Sequence, residues 1–341
     1  MSARLEKTLA LQFKYLGDAV FITPALRALK EPRPDAELHV LVAAEVAPLL
    51  EDLPWIKKVW ALPRTRGQAR LRESWPLIRA LRREKFERAV DFGGNDRGAI
   101  LSFLSGAKTR LGPVEKKKLL QKFCYTQMVS TDTLPPSWVQ RHLQLLSAWQ
   151  IPPPKSAHLE IAADPALAEE AAKLLPDGRI LCHLGTSQPR KEWPVARWQE
   201  FFRLASTAGF ALAFSAGTNE RERQLLAELK RGQPDIFALP PIGDLRLFLA
   251  VLRRARLVIA GDTGPLHFAA GLGVPVIGLF GTADSLLRSA PIYAAKQIVK
   301  GGYCFCDEKG LHSANCQDAQ PCMNAIRTEP VLAALLHLLA R

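Results

Sequence analysis

No Asp-x-Asp occurs anywhere in the 341 residues, so a pair of carboxylates spaced to clamp a metal-bound diphosphate is missing. No Gly-x-Gly-x-x-Gly follows the first apolar run and no P-loop is present, which argues against a dinucleotide-dependent dehydrogenase and against an NTPase. Uninterrupted apolar runs are missing too. Residues 263–283 contain no Asp, Glu, Lys or Arg, but five glycines and two prolines divide them. The pieces are shorter than the roughly 20 apolar residues that a membrane span requires. The first residues hold no apolar segment long enough for a signal peptide before Lys14 and Asp18, so a cytoplasmic protein is expected. Cysteine is scarce. Of six, Cys304, Cys306, Cys316 and Cys322 share one stretch of 19 residues. Their gaps are not the paired Cys-x2-Cys of a structural zinc site, and a cytoplasmic location disfavours stable disulfides, so no metal is expected.

What is present bounds the class. A hydrophobic content of 48% suits a globular protein, and the length exceeds one typical core, which predicts two domains. The net charge of +13 is unevenly placed: residues 1–150 hold 25 Lys+Arg against 15 Asp+Glu, and residues 151–341 hold 21 against 18. Between Arg64 and Arg88 nine Lys/Arg face three Glu, and Lys116, Lys117 and Lys118 form a second basic run. The first half therefore faces something acidic: an anionic substrate, a negative membrane leaflet or nucleic acid. A solvated helix face is the alternative for the 64–88 run.

The chain is organised around residues 257–284, LVIAGDTGPLHFAAGLGVPVIGLFGTAD. Residues 257–260 read as a buried parallel strand, Gly261 and Gly264 allow a sharp turn, and Pro265 suits the first helical position. Gly273 and Pro275 end that helix before a second strand at 276–280. The N–H groups of Thr263, Gly264 and Leu266 then point from a helix N-terminus at the carboxyl end of a strand, where phosphate binds. The plain alternative is a tight turn with Asp262 capping the helix and His267 packed in its first turn.

Elsewhere the same alternation recurs. Strands are expected at 8–15, 38–43, 59–62, 88–92, 179–184 and 210–215, and helices at 19–30, 71–85, 139–149, 194–208, 220–230 and 330–340. Residues 109–129 read as loop-rich. Three prolines at 152–154 mark a stiff linker. They divide a first Rossmann-like domain, residues 1–154, from a second, residues 155–329, with the last helix, 330–341, packing back on the first. The class is α/β, two Rossmann-like domains facing across a cleft.

Three motifs carry a family likeness. GDTGPLHFAAGLGVPVIGLFG resembles the signature of the lipopolysaccharide heptosyltransferases, KYLGDAVFITPAL resembles that family's amino-terminal motif, and RKEWPVARW its third. The resemblance implies a glycosyltransferase of the GT-B fold with an ADP-activated heptose as donor and a lipid A–core saccharide as acceptor. It also implies roles for single residues. Asp18 matches the catalytic aspartate and suits a base for the acceptor hydroxyl, with a helix cap as the alternative; Lys191 matches the lysine that contacts phosphate. Thr186 and Ser187 are expected to add hydroxyl donors, Thr263 and Gly264 backbone N–H groups, and Asp262 an acceptor for donor hydroxyls beside His267. Glu220 is a weaker candidate for the ribose. The expectation is an inverting, metal-independent transferase with no cofactor beyond its nucleotide-sugar donor. It would be monomeric, peripheral at the inner membrane with an anionic lipid-linked acceptor, and would take no nucleic acid. A nucleotide-sugar epimerase on the same fold and a non-catalytic binder of anionic surfaces are the competing readings, since fold alone does not choose.

Overall fold

The structure is a computed structural model, and it describes residues 6–13, 16–63, 71–115, 118–281, 283–290, 296–301 and 321–340. Two compact units divide the chain, Met1–Ala162 and Ala163–Arg341.

The first unit is built on six strands, β1 (Lys7–Gln12), β2 (Glu37–Ala43), β3 (Lys58–Leu62), β4 (Arg88–Asp91), β5 (Thr109–Val114) and β6 (Gln127–Ser130). All pair in parallel, in the order β3-β2-β1-β4-β5-β6. Parallel strands covered on both faces by helices read as continuous apolar runs, and Leu9, Ala10, Leu11, Val40 and Leu41 are fully buried. The helices are α1 (Leu16–Phe21), α2 (Thr23–Lys30), α3 (Leu71–Glu84), α4 (Asp96–Leu104), α5 (Leu119–Cys124) and α6 (Trp138–Leu146). The single helix expected at 19–30 is two. Ile22 is the N-cap of α2 and Pro24 stands in its first turn, where its missing N–H is harmless although it would break a longer helix.

Residues 109–129 are not loop-rich: they supply β5, α5 and β6. Gly112 and Pro113 disguise the strand. Gly112 lies against the Tyr125 ring, and Pro113 falls beyond the last β4–β5 pair, Val90↔Leu111, so it removes no hydrogen bond from that ladder. The first unit runs past the proline run, to Ala162. Beyond the proline run the chain stays on α2: the Glu160 N–H donates to Thr23 Oγ1 at 2.9 Å, and the Arg27 guanidinium grips both Glu160 oxygens at 2.6 Å. Trp55 Nε1 donates to the same carboxylate at 2.9 Å.

The second unit holds β7 (Ile180–His183), β8 (Leu212–Ser215), β9 (Leu257–Gly261), β10 (Val276–Phe280) and β11 (Lys296–Lys300), parallel, in the order β11-β10-β9-β7-β8. Its helices are α7 (Ala168–Leu174), α8 (Val195–Thr207), α9 (Glu220–Gly232), α10 (Leu245–Arg254), α11 (Gly264–Gly271), α12 (Ala283–Ser289), α13 (Pro321–Asn324) and α14 (Thr328–Leu339). The β9–α11–β10 unit matches the expectation, and Gly273 takes the left-handed φ of 75° that stops α11. Trp193, Trp198, Phe201 and Phe214 pack edge to face in the core, and Trp193 Nε1 donates to Ile326 O at 2.9 Å. The last helix belongs to the second unit. Its Val331 and Leu335 are fully buried in the second unit's core, against α8, β10 and β11. No described helix is long and apolar enough to cross a membrane.

Each sheet has one place where neighbouring strands lead their connections to opposite faces: between β1 and β4, and between β7 and β9. In open α/β sheets such switch points are where ligands bind, at the carboxyl ends of the strands. Since a methyl group on Gly112 would overlap the Tyr125 ring, Gly112→Ala should destabilise the first unit by about 1–3 kcal/mol through overpacking. Urea unfolding of the variant checks this; an unchanged midpoint would show that Tyr125 can move at no cost.

Candidate active site

β9 ends at Gly261, where a Cβ would stand 2.8 Å from the Lys191 carbonyl oxygen. Glycine thus lets the segment after β7 cross the strand end. The crossing brings Lys191 Nζ to 2.5 Å from Asp262 Oδ2, and the other carboxylate oxygen accepts from Ser289 Oγ at 2.8 Å and faces His267 Nε2 at 3.4 Å. Asp262 is only 9% exposed. Burial alone would raise its carboxyl, but the His267 hydrogen bond and the Lys191 charge outweigh burial and hold it well below the usual carboxylate range. Asp262 is not the helix cap of the plain alternative. The N-cap of α11 is Thr263, whose side chain makes no capping bond. By helix geometry the first-turn N–H groups of α11 have no acceptor within the helix and carry its partial positive charge.

In the loop from Gly185 to Lys191, Thr186 is buried and its hydroxyl donates to the Gln188 carbonyl at 2.6 Å, which shapes the turn. Ser187 is exposed. Glu220 stands outward on α9, 68% exposed, bonded to Arg223 and Gln224. The carboxylate that turns inward is Glu222. It accepts from the Gly217 N–H at 2.7 Å and Asn219 Nδ2 at 2.5 Å, while Asn219 Oδ1 accepts from the Glu222 N–H at 3.0 Å. Gly185 leaves room for it, since a Cβ there would overlap the Glu222 carboxylate as it stands. Asn219-x-x-Glu222 is a reciprocal cap that was legible in the sequence and points to Glu222.

Three further groups had no such signal. Arg221 Nη2 donates to the Thr186 carbonyl at 2.5 Å, and Arg221 also pairs with buried Glu192. Ser289 reaches Asp262 from 27 residues away. His183, at the carboxyl end of β7, shares a 2.9 Å hydrogen bond between Nδ1 and Ser215 Oγ at the end of β8.

In the first unit Asp18 lies in the first turn of α1, half-buried, just after β1. At the end of β4 Asp91 is fully buried, accepting from Tyr125 Oη at 2.6 Å and the Gly93 N–H at 2.8 Å. Burial and the Asp91 charge push the Tyr125 phenol far above its ordinary range, so it remains a donor. α3 buries Ile78 and Leu81 and exposes Arg79, Arg82 and Arg83. Residues 64–70, Lys116, Lys117, Cys304, Cys306 and Cys316 lie outside the described residues; Lys118 is exposed, and Cys322 is buried in the second core. Among the described residues one cluster brings together possible metal ligands, Glu37, His39 and Glu84. Lys7 already joins its two carboxylates at 3.0 and 2.7 Å, so an ammonium occupies the place of a cation.

The model of glycosyltransferase family 9 (heptosyltransferase) matches residues 74–308. Lipopolysaccharide heptosyltransferase 3 of Escherichia coli is 22% identical over 80% of this chain and 83% of its own. Among solved structures, a family 9 glycosyl transferase of Veillonella parvula superposes with a TM-score of 0.80 at 18% identity, covering 100% of this chain and 99% of that one. The heptosyltransferase WaaC of E. coli, solved with ADP-2-deoxy-2-fluoro heptose, gives 0.71 at 18% identity over 97% and 99%. The two parallel sheets thus have the GT-B fold of these transferases.

His183 generates a pH dependence. Burial drives its imidazole down to about 4, whereas an unfolded histidine titrates near 6.5. Between these values only the unfolded chain takes up the proton, so stability is lost as pH falls through that window and the loss levels off below it. The full effect is on the order of 3 kcal/mol. Urea unfolding at about pH 7 and about pH 4.5 should show a smaller acid loss in His183→Gln than in the wild type. Equal losses would mean that His183 takes up its proton as readily folded as unfolded.

Proposed function

Since the chain belongs to glycosyltransferase family 9, the heptosyltransferase family, and is a glycosyltransferase by that membership, we propose that it moves a heptose from an ADP-activated donor to a lipopolysaccharide-core hydroxyl. The transfer inverts the anomeric carbon and uses no metal ion. The observation that carries this reading is the Lys191–Asp262 pair at the carboxyl end of β9, beside the N-terminus of α11. A nucleoside diphosphate finds there an ammonium, backbone donors and a helix dipole of the right sign. The ADP-heptose analogue bound by the E. coli relative supports the donor, and the curated relative's name, lipopolysaccharide heptosyltransferase, supports the acceptor. In this reading a monomer works at the cytoplasmic face of the inner membrane.

Asp18 takes the proton of the acceptor hydroxyl as its oxygen bonds to the anomeric carbon. The bond to the diphosphate breaks in the same displacement, ADP leaves with the electron pair, and a single displacement inverts the centre. Lys191 and the N–H groups of Thr263 and Gly264 meet the charge that gathers on the leaving phosphate. Asp262 steers Lys191 and accepts from donor hydroxyls, with His267 at its side. Positive charge thus comes from the protein itself, in keeping with a sequence that has no Asp-x-Asp.

Asp18→Asn should lower kcat by roughly 10²–10⁴ while leaving the donor Kd nearly unchanged, because a general base acts on the acceptor. Retained turnover removes Asp18 from that role. Lys191→Ala should weaken ADP-heptose binding and slow transfer together, read by calorimetry and initial rates. EDTA should change neither constant of the wild type; activity abolished by EDTA and restored by Mg²⁺ would overturn the metal-free reading.

A further inference from the structure

Helix α5 turns its large side chains outward. Gln121 and Cys124 face the protein: Cys124 joins an apolar cluster with Ala99, Val114 and Tyr125, and Gln121 donates to the Gly94 carbonyl at 3.2 Å and to Asp96 Oδ1 at 3.0 Å. At its end the Arg110 guanidinium donates to the Cys124 carbonyl at 2.7 Å and to Ala107 O at 2.8 Å. Its apolar side faces solvent. Leu119 is 77% exposed, Phe123 72% and Leu120 47%, and positions four apart stand on one helix face. Phe103, on the last turn of α4 and 40% exposed, continues the patch with its ring centroid 5.5 Å from that of Phe123.

Large apolar side chains grouped on a surface and fixed by polar anchors beneath them mark a docking face. The charge around them selects the partner. Lys118 and Lys122 are exposed on the same helix, Arg110 sits 5.4 Å from the Phe103 ring, and the sequence has no Asp or Glu between Glu115 and Asp132. A protein partner of mixed charge has no need of a margin free of carboxylates. An anionic bilayer does: apolar groups enter the boundary between headgroups and acyl chains while ammonium groups stay level with the phosphates.

We propose that Leu119, Leu120, Phe123 and Phe103, flanked by Lys118 and Lys122, form the face by which this chain inserts shallowly into an anionic membrane leaflet. The face belongs to the first unit and the Lys191–Asp262 pair to the second, and the inference does not depend on which sugar is transferred.

Flotation of the full chain with lipid vesicles tests it. The wild type should float with phosphatidylcholine vesicles that contain phosphatidylglycerol and much less with phosphatidylcholine alone. Leu119→Ser with Phe123→Ser should weaken the anionic-vesicle partition on the order of tenfold or more, because both side chains lose their apolar burial. Lys118→Gln with Lys122→Gln should weaken it by a further route, about fivefold per cation at low salt and little at high salt. The melting temperature of each variant and its rate on a short soluble acceptor should match the wild type, which separates this face from the active-site reading. A double serine variant that floats like the wild type, or a wild type that floats with neither vesicle, overturns the proposal. So does sedimentation velocity in which the wild type is a dimer and the serine variant a monomer, which would give the patch to a second copy of the chain.

Discussion

A carboxylate that is almost fully buried must be met by donors or it loses its charge, and Asp262 imposes that demand on the second unit. Its partners come from three separate segments: Lys191 from the loop after β7, His267 from the first turn of α11, and Ser289 from the end of α12. A shift in any of the three would weaken the hold on a buried charge, which favours one arrangement of the loop, the turn and the helix. Gly261 follows from the same constraint, because the backbone of Lys191 passes where a side chain would stand. In the proposed chemistry a cation is already in position before the leaving group develops its charge, the preorganisation from which electrostatic catalysis draws its strength.

Both sheets repeat one solution at their strand ends. Parallel strands buried on both faces are mainly apolar, and in each sheet a buried polar group at a strand end is met by a side chain from another segment. Asp91 is met by Tyr125 and the Gly93 N–H at the end of β4, and His183 by Ser215 at the end of β7. Close packing around these groups explains why glycine stands at 112 and 185, where any side chain would collide with Tyr125 or Glu222.

Net charge and exposed apolar surface are both concentrated in the first unit. On α3 the ordinary pattern holds, with Ile78 and Leu81 inward and arginines outward. On α5 Gln121 and Cys124 turn inward, and Leu119, Leu120 and Phe123 turn outward. A short helix with one well-anchored polar side chain can leave its hydrophobic residues in solvent, where a lipid surface suits them better than water.

The α/β class, two Rossmann-like domains and the β9–α11–β10 unit were legible in the amino-acid sequence, since buried parallel strands, glycine turns and helix starts are local patterns with fixed periods. Spacing and family likeness also single out Asp18, Lys191 and Asp262 as residues to test, although neither says what those side chains touch. Tertiary structure decided the rest. It hid β5 behind Gly112 and Pro113, tied the segment after the prolines to α2 through Arg27 and Glu160, and gave the last helix to the second core. It also committed the Thr186 hydroxyl to its own turn, faced Glu220 outward and Glu222 inward, and brought Ser289 to Asp262. The reason is one of range. Periodicity and capping report on residues within a turn or two of each other, whereas the partner of a buried charge is set by which distant segments the folded sheet brings to the same strand end.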